Sequence, residues 1–279
     1  MRRTLTLLTI AFVFAPLAQA TDGVIEISQS KVLAAGGHFP YVISASGSYR
    51  LTSNLDVTND PGNATLAQDR TAISVGTTAP VTIDLNGFTI SGPTNCMGSG
   101  AALNCSPTGS GSGIVMASGL TTTSLTIRNG TVKGMGFGGI SIQSLSSLVE
   151  RVIAIANGNV GIAALRVVDC EARTNNLQGI SATVVVNSRA VGNKTDGISA
   201  SDLAQGNTSD SNGGVGIIGG SGVLAMGNSA SGNTSFGLSI TTSSGYVGNV
   251  FFANNSSNAQ VSGGTQIGQN LCKGTITCP

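Results

Sequence analysis

The sequence predicts an all-β fold, a single-stranded right-handed parallel β-helix (a β-solenoid) in which coils of about twenty residues stack into one rod. Two landmarks that advance together along the chain support this prediction. A glycine followed by isoleucine or leucine recurs at spacings of 26, 22, 18, 18, 19 and 21 residues, and an asparagine recurs at spacings of 16, 18, 19, 21 and 21 residues. The glycines are Gly113, Gly139, Gly161, Gly179, Gly197, Gly216 and Gly237, and the asparagines, interpreted as a ladder, are Asn159, Asn175, Asn193, Asn212, Asn233 and Asn254.

The first twenty residues have the pattern of a secretion signal. Arg2 and Arg3 precede an apolar stretch over residues 5–17, and Ala18-Gln19-Ala20 is a small-x-small cleavage site. The stretch is too short to favour a membrane anchor, and no second apolar run long enough to span a bilayer follows it. We therefore expect an exported protein, periplasmic or extracellular, that starts at Thr21 and has no membrane span after signal cleavage.

The composition limits the classes of partner. Charged residues make up 9% of the chain, hydrophobic residues 40%, and tryptophan is absent. The formal net charge is +1, and it becomes −1 when the two arginines of the signal are removed. A surface so close to neutral argues against electrostatic binding of nucleic acid or of anionic membranes.

Caps are predicted at both ends of the rod. Residues 21–48 do not follow the coil pattern, and we interpret them as an N-terminal cap with a strand at residues 24–27 and a short helix or turn at residues 28–35. Such a segment would cover the open edge of the first coil. The β-helix itself is predicted over residues 49–260, and residues 261–279 are predicted to form a C-terminal cap.

The residues before each ladder asparagine alternate in the manner of a strand with one buried face. Seven, five and three residues before it lie small or apolar side chains, as in residues 168–173 and 186–191. By the same alternation Phe251 points inward and Phe252 outward. Three inward asparagines are predicted to form a hydrogen-bonded stack inside the rod; they are Asn207, Asn228 and Asn249. A left-handed helix of hexapeptides is the rival fold, but the irregular spacing and the missing six-residue submotif favour the right-handed one.

Three segments resemble the opening coils of bacterial right-handed β-helix repeat proteins of the pectin-lyase-like superfamily. They are YRLTSNL at residues 49–55, VTIDLNGFTI at residues 81–90 and LTIRNG at residues 125–130. The resemblance extends over residues 24–260 and implies the fold. It does not imply one activity, because that superfamily includes polysaccharide lyases, glycoside hydrolases, epimerases and adhesins.

The five cysteines predict two local disulfides. Export allows disulfides to persist, and we pair Cys96 with Cys105 and Cys272 with Cys278. Cys170 is then left as a buried, unpaired thiol. No metal site is predicted, since the cysteines lack close paired spacing and the chain has one histidine, His38.

The longest interruption between coils is the glycine- and serine-rich segment 92–113, which holds Cys96 and Cys105. Long loops on a rigid scaffold often carry binding specificity. The alternative is a disulfide-tied surface excursion without a partner.

The scarce charges fall into two groups. The first is a column of alternating sign formed by Asp84, Arg128, Glu150 and Arg166, which we interpret as an ion-pair ladder between adjacent coils. The second comprises Asp169, Glu171 and Arg173 on one outward face, with Arg189 one coil later at the position of Glu171.

The second group supplies the candidate catalytic residues, which are Asp169, Glu171, Arg173 and Arg189. Two carboxylates alternating along a strand lie about 6.5 Å apart, within the range that glycoside hydrolysis requires. For the lyases of the resembling superfamily, a basic residue abstracts a proton next to a carboxylate, often with Ca²⁺ held by acidic side chains. A salt bridge between Glu171 and Arg189 is the reading we favour over catalysis.

The functional expectation is an exported, non-catalytic module that contacts a carbohydrate or another cell-surface component. The alternatives are a polysaccharide lyase, glycoside hydrolase or epimerase acting on an extracellular glycan, and a purely structural envelope scaffold. No cofactor is identified, and Ca²⁺ enters only with the lyase alternative. The few aromatic residues are a thin supply for an extended sugar-binding cleft.

Overall fold

The computed structural model describes residues 23–120, 124–142, 146–276 and 278. The predicted signal over residues 1–20 and the predicted start at Thr21 lie outside them. The described chain is a right-handed parallel β-helix of about 12 turns, which confirms the predicted fold class. One α-helix, α1 (Gln29–Val32), and four short 3-10 helices at Ala34–Gly36, Ala67–Asp69, Gly100–Ala102 and Asn255–Ser257 interrupt the strands. No helix in these residues is both long and apolar enough to cross a membrane.

In chain order the strands are β1 (Val24–Ile27), β2 (Tyr41–Ile43), β3 (Gly47–Leu51), β4 (Leu55–Asp56), β5 (Ile73–Val75), β6 (Val81–Asp84), β7 (Thr89–Ser91), β8 (Asn95–Met97), β9 (Asn104–Ser106), β10 (Ile114–Met116), β11 (Leu125–Lys133), β12 (Ile140–Ile142), β13 (Ser147–Ile155), β14 (Ile162–Val168), β15 (Glu171–Arg173), β16 (Ile180–Val186), β17 (Arg189–Val191), β18 (Ile198–Gln205), β19 (Thr208–Asp210), β20 (Ile217–Gly219), β21 (Leu224–Met226), β22 (Ser229–Ser231), β23 (Leu238–Ser239), β24 (Gly245–Val247), β25 (Val250–Phe252), β26 (Val261–Ser262), β27 (Thr265–Gln266) and β28 (Leu271–Cys272).

The repeated Gly-Ile pairs form one column of the core. Each isoleucine pairs in register with its equivalent in the next coil and is fully buried, from Ile114 to Leu238. The preceding glycine is required by the close approach of the coils. A Cβ added at Gly161 would lie 2.6 Å from both the amide nitrogen of Asn175 and the carbonyl oxygen of Gly179.

The asparagine ladder is present, but it begins at Asn157 and not at Asn159 as predicted. The side-chain amide of Asn157 donates to Oδ1 of Asn175 at 2.9 Å, and that of Asn175 donates to Oδ1 of Asn193 at 3.0 Å. The backbone N–H of each ladder residue donates to the same oxygen. The complete ladder is Asn157, Asn175, Asn193, Asn212, Asn233 and Asn254, ending on Gln260.

Asn159 lies two residues beyond the ladder, in the corner, where its Oδ1 accepts from the N–H of Val160. A ladder asparagine directly follows a residue with left-handed backbone, such as Ala156 at φ 54°. That residue turns the chain so that the next side chain points into the rod, and this position belongs to Asn157.

A second internal ladder runs along another corner. Asn207, Asn228 and Asn249 are stacked as predicted, with side-chain bonds of 3.0 and 2.9 Å between neighbours. The ladder continues to Asn270 at one end and to Ser188 at the other. Cys170 is the first residue of this second ladder, because its N–H donates to Oγ of Ser188 at 3.2 Å. Cys170 is free and buried, and burial raises the pKa of its thiol to about 12, so it acts as a small core residue and not as a nucleophile.

The charged column differs from the predicted one. Arg166 is not part of it, since Arg166 pairs with Leu148 while Val168 pairs with Glu150. The prediction was wrong because the positions in this coil were counted from Asn159, which lies two residues beyond the ladder residue Asn157. The alternation of sign instead extends toward the N-terminus, and the column is Glu26, Arg50, Asp84, Arg128 and Glu150. Nε of Arg128 lies 3.0 Å from Asp84, whereas Glu150 binds the adjacent Arg151 at 2.6 Å.

The N-terminal segment contains the predicted strand and helix. Ser28 caps α1, with Oγ accepting from the N–H of Lys31, and Val32 packs on the core. Strand β1 pairs in parallel register with β3, so coil stacking already begins inside the segment predicted as a cap. The predicted boundaries between caps and rod stay predictions. At the other end, Cys272 and Cys278 form the predicted disulfide.

Segment 92–113, which we call the strap, lies along the rod. Strands β8 and β9 pair as an antiparallel hairpin held by the predicted Cys96–Cys105 disulfide. The N–H of Gly109 donates to the carbonyl of Gly136 at 2.8 Å, and the N–H of Gly100 donates to that of Gly192 at 3.0 Å. The strap therefore packs on the corners of successive coils.

Two charged side chains organise residues 57–71. Asp60 is buried and accepts from Nδ1 of His38 at 2.6 Å, from Nδ2 of Asn63 at 2.6 Å and from the N–H of Phe39 at 3.0 Å. Burial works to raise the pKa of Asp60, but these hydrogen bonds outweigh it and hold the pKa below its ordinary value. Arg70 donates to three backbone carbonyls, those of Val57, Asn63 and Thr65.

Replacing Asn193 by alanine tests the ladder. The change removes the oxygen that accepts from both the backbone N–H and the side-chain amide of Asn175, and it removes one of the two donors to Oδ1 of Asn212. The buried backbone N–H of Asn175 is left without an acceptor. We expect the free energy of unfolding to fall by about 2 to 4 kcal/mol, measured by urea denaturation. Asn159→Ala is the matched control, with a change within about 0.5 kcal/mol. Equal losses in the two variants would refute the corrected ladder.

The stability of the N-terminal region should fall in acid through Asp60. Because the pKa of Asp60 is lowered on folding, its contribution is present above the pKa of an unfolded aspartate, about 4, and is lost as the pH falls through the lower folded value. Asp60→Asn should remove this part of the acid dependence of thermal unfolding between about pH 4 and pH 2. Asp202→Asn, on the exposed edge of β18, is the control and should leave the profile unchanged. A profile in which the Asp60 variant matches the parent contradicts the assignment.

Candidate functional site

One outward column of residues along the rod contains no charged side chain. The residue after each core isoleucine, or after its equivalents Tyr41, Leu238 and Val261, points outward and pairs in register with its equivalent in the next coil. Most of these residues are serines, and we call the column the serine face. Its members are Val42, Ser74, Val115, Ser141, Ala163, Ser181, Ser199, Ile218, Ser239 and Ser262.

A groove of about 620 Å³ lies over the middle of the serine face. Its floor is Ser141, Ala163 and Ser181. One wall is the segment 116–120 at the end of β10. The other is the row of corner residues Phe137, Asn159, Val160 and Gln178.

A smaller cavity of about 240 Å³ continues the same face toward the N-terminus, over Ser74 and Val115. Its wall includes Asp69 and Arg70, whose polar atoms already bind the protein. Asp69 accepts from the N–H and the hydroxyl of Ser110, and Arg70 binds backbone carbonyls. This cavity therefore adds length to the site, and its two charged side chains are hydrogen-bonded to neutral groups of the protein.

The groove offers hydrogen-bonding groups that the protein does not use. Among the described residues, the hydroxyls of Ser141 and Ser181 and the side-chain amide of Gln178 have no hydrogen-bond partner. Phe137 stands beside them and is 41% exposed. The described lining has no carboxylate, imidazole, amine or guanidinium. Such a surface can hold a neutral ligand that is polar at its edges and apolar on its faces.

The predicted catalytic residues lie elsewhere and only partly meet. Glu171 and Arg189 occupy equivalent positions of adjacent coils, as predicted. Oε1 of Glu171 lies 3.5 Å from Nη1 of Arg189 and 3.8 Å from Nε of Arg173. The carboxylate is thus held between two guanidinium groups on an exposed strand, in the arrangement of a surface ion pair.

Asp169 does not share the strand face of Glu171, so the predicted pair of carboxylates is wrong. It lies between β14 and β15 with left-handed backbone, at φ 53°. Equivalent corners of the following coils hold Asn187, Gly206, Gly227 and Gly248, all with positive φ. Asp, Asn and Gly are the residues that adopt this conformation most readily, so the column marks a turn. That signal was visible in the sequence as aligned Asp, Asn and Gly residues.

The described residues contain no group of three or more His, Cys, Asp or Glu side chains that could hold a metal ion. Glu171 is paired with two arginines, and Asp169 lies at the corner between β14 and β15. Ca²⁺ remains a prediction of the lyase alternative alone.

The chain has similarities in backbone course to solved β-helix structures. The periplasmic alginate epimerase AlgG aligns with 14% identity and a TM-score of 0.46, covering 89% of this chain and 71% of its own. The tailspike gp49 of Acinetobacter baumannii bacteriophage Fri1, a capsular polysaccharide depolymerase, aligns with 10% identity and a TM-score of 0.45. The alignment covers 92% of this chain and 57% of the tailspike chain. The A-module of the Azotobacter vinelandii mannuronan C-5 epimerase AlgE4 aligns with 16% identity and a TM-score of 0.36. The alignment covers 84% of this chain and 74% of the epimerase module.

No protein-family model matches the chain, and no curated protein matches it. At identities of 10 to 16%, the activities of the three aligned proteins are not assigned to this chain.

Proposed function

We propose that the protein is an exported, non-catalytic β-helix that binds a neutral glycan in the groove over the serine face. One observation carries the proposal. The groove combines unused hydroxyl and amide groups with an exposed phenylalanine and has no titratable side chain in its described lining.

A sugar ring matches both kinds of surface. Its hydroxyl groups exchange hydrogen bonds with short polar side chains such as Ser141, Ser181 and Gln178, and its C–H face packs on an aromatic ring. Phe137 stands at the wall of the groove, in position for such packing. The rigid coils below fix these groups before binding, so little ordering is required when a ligand arrives.

The absence of charge from the lining favours binding over turnover. Glycoside hydrolysis needs two carboxyl groups on either side of the bond that breaks. Proton abstraction by a lyase or epimerase needs a base within hydrogen-bond reach of the substrate. The residues predicted for such chemistry are those around Glu171. Their charges pair with one another at the surface, and none of them lines the groove.

Two disulfides support export. Cys96–Cys105 and Cys272–Cys278 would not persist in a reducing compartment. They agree with the predicted secretion signal.

Removal of the Phe137 ring should weaken glycan binding. A ring contact of this kind is worth about 0.5 to 1.5 kcal/mol, so we expect Phe137→Ala to raise the Kd for a neutral oligosaccharide by about two- to thirteenfold. Isothermal titration, after a glycan-array screen to find the ligand, measures the effect. Phe252→Ala removes an aromatic ring that is 62% exposed and lies outside the groove, and it should leave the Kd unchanged.

A panel of acidic and neutral polysaccharides, with and without Ca²⁺, tests the non-catalytic part of the proposal. We expect binding without new reducing ends and without absorbance from an unsaturated product. Turnover that disappears in Glu171→Gln would establish the enzymatic alternative at the predicted residues. Turnover that survives in Glu171→Gln would show an enzyme with its site elsewhere, and either result would end the non-catalytic reading.

A further inference from the structure

The corner that carries Phe137 is rich in glycine. It contains Gly134, Gly136, Gly138 and Gly139, so the phenylalanine has a glycine on either side. A backbone of this composition has much conformational freedom when it is not held, because glycine restricts φ and ψ less than any other residue. Phe137 is also 41% exposed, so packing alone does not fix its ring at the groove wall. The corner therefore depends on hydrogen bonds from neighbouring segments.

The strap supplies hydrogen bonds to three consecutive residues of this corner. They come from residues 107–113, which follow β9 and which we call the return arm. The position of the Phe137 ring is thereby tied to the position of the return arm. The three backbone bonds run from the N–H of Gly109 to the carbonyl of Gly136 at 2.8 Å, from the N–H of Phe137 to the carbonyl of Gly111 at 2.7 Å, and from the N–H of Gly113 to the carbonyl of Gly138 at 3.1 Å.

Asp69 holds the return arm from its other side. Its Oδ1 accepts from the N–H of Ser110 at 2.7 Å and from the hydroxyl of the same residue at 3.0 Å. The adjacent carbonyl of Gln68 accepts from the N–H of Gly111 at 2.9 Å, and Gly111 is the residue whose carbonyl binds Phe137. Hydrogen bonds to a carboxylate are roughly twice as strong as those between neutral groups. The carboxylate of Asp69 is therefore a firm attachment point for the arm.

The loop that carries Asp69 is in direct contact with the arm and with the corner. A Cβ added at Gly109 would lie 2.6 Å from Oδ1 of Asp69, and one added at Gly136 would clash with the carbonyl oxygen of Gln68. The loop itself is held by Arg70, which donates to three of its backbone carbonyls. A displacement of the Asp69 carboxylate is consequently passed through the arm to the corner.

We infer that Asp69 is a positioning residue of the glycan site, which holds Phe137 at the groove wall through the return arm and so sets the affinity of the groove. The inference rests on the proposed function. Asp69 is not among the residues of the groove lining, but it does line the smaller cavity. Direct contact between Asp69 and the glycan is therefore the alternative that the experiment separates from positioning.

A double-mutant cycle between Asp69 and Phe137 makes this separation. The ligand is the tightest binder among cellohexaose, maltohexaose and laminarihexaose, and isothermal titration gives the Kd. Asp69→Ala should raise the Kd by no more than Phe137→Ala does, which is about two- to thirteenfold. In the Phe137→Ala background it should change the Kd by less than about twofold, because the ring that it positions is gone. Asp69→Asn keeps an oxygen acceptor and should recover most of the affinity of the parent.

Amide hydrogen exchange of the free protein measures the positioning without a ligand. The N–H of Phe137 is protected by its bond to Gly111, so Asp69→Ala should speed its exchange by about tenfold in NMR experiments. Asp56→Ala is the matched control, because Oδ1 of Asp56 also accepts from one N–H and one hydroxyl, those of Thr58, at 2.9 and 2.7 Å. It contacts neither the strap nor the groove and should leave the Kd and the Phe137 exchange unchanged.

Three outcomes overturn the inference. They are an unchanged Kd in Asp69→Ala, an equal rise in Kd with and without the Phe137 ring, and an unchanged exchange rate of the Phe137 amide. The second outcome would assign Asp69 to direct contact with the glycan. If the parent binds none of the three oligosaccharides, that result counts against the proposed function, and the exchange rate of the Phe137 amide still decides whether Asp69 holds the corner.

Discussion

Coil-to-coil hydrogen bonding through buried asparagine amides is the interaction on which the rest of this structure depends. The turn after each strand would leave backbone N–H groups inside the rod without partners. Each ladder amide accepts from the N–H of one coil and donates to the next, as Asn175 does with Asn157 and Asn193. Buried polar groups that are fully paired in this way fix the register of adjacent coils. The outward columns that form the groove are therefore aligned by an interior network.

Much of the fold could be predicted from the sequence because its repeats record a physical requirement. Gly161 and its equivalents must be glycine since the next coil passes within contact distance of the missing Cβ. Asn207, Asn228 and Asn249 could be assigned to the interior because the inward–outward alternation of the neighbouring residues places them inward. The two disulfides could be paired because their cysteines are close in sequence and the segments around them are compact.

The incorrect assignments share one origin. In the segment Asn157-Gly158-Asn159 two asparagines compete for the ladder position, and spacing alone does not separate them. The residue before the ladder, with left-handed backbone, decides in favour of Asn157. Choosing Asn159 shifted the frame of that coil and placed Arg166 in a column to which it does not belong. Asp169 was assigned to a strand for a related reason, since a corner residue and a strand residue look alike when only alternation is counted. The groove could not be predicted at all, because it depends on how the segment 116–120 and the corner at Phe137 stand over the floor.

Charge is divided unevenly between the two halves of the rod. Toward the N-terminus, arginine and carboxylate side chains alternate on one face, and two more charges, Asp60 and Arg70, organise the loop beside the second cavity. Toward the C-terminus the surface is almost neutral, with serine on one face and aliphatic residues on another. Burying an uncharged surface costs less free energy than burying charged groups. The neutral half of the rod is therefore better suited to forming a stable interface with a ligand or partner.

The strap changes how the rod can come apart. In a simple solenoid each coil touches only its neighbours, and unfolding can proceed one coil at a time from either end. Here the strap leaves the coil of β7 and binds the next coil, where the N–H of Gly92 donates to the carbonyl of Lys133. It then reaches the coil of Gly192, where the N–H of Gly100 donates to the carbonyl of Gly192. Coils that are distant along the axis are thereby connected by one disulfide-closed segment. Fraying from the C-terminal end should stop at this segment, so that the coils under the strap form a single cooperative unit and the coils beyond it open more independently.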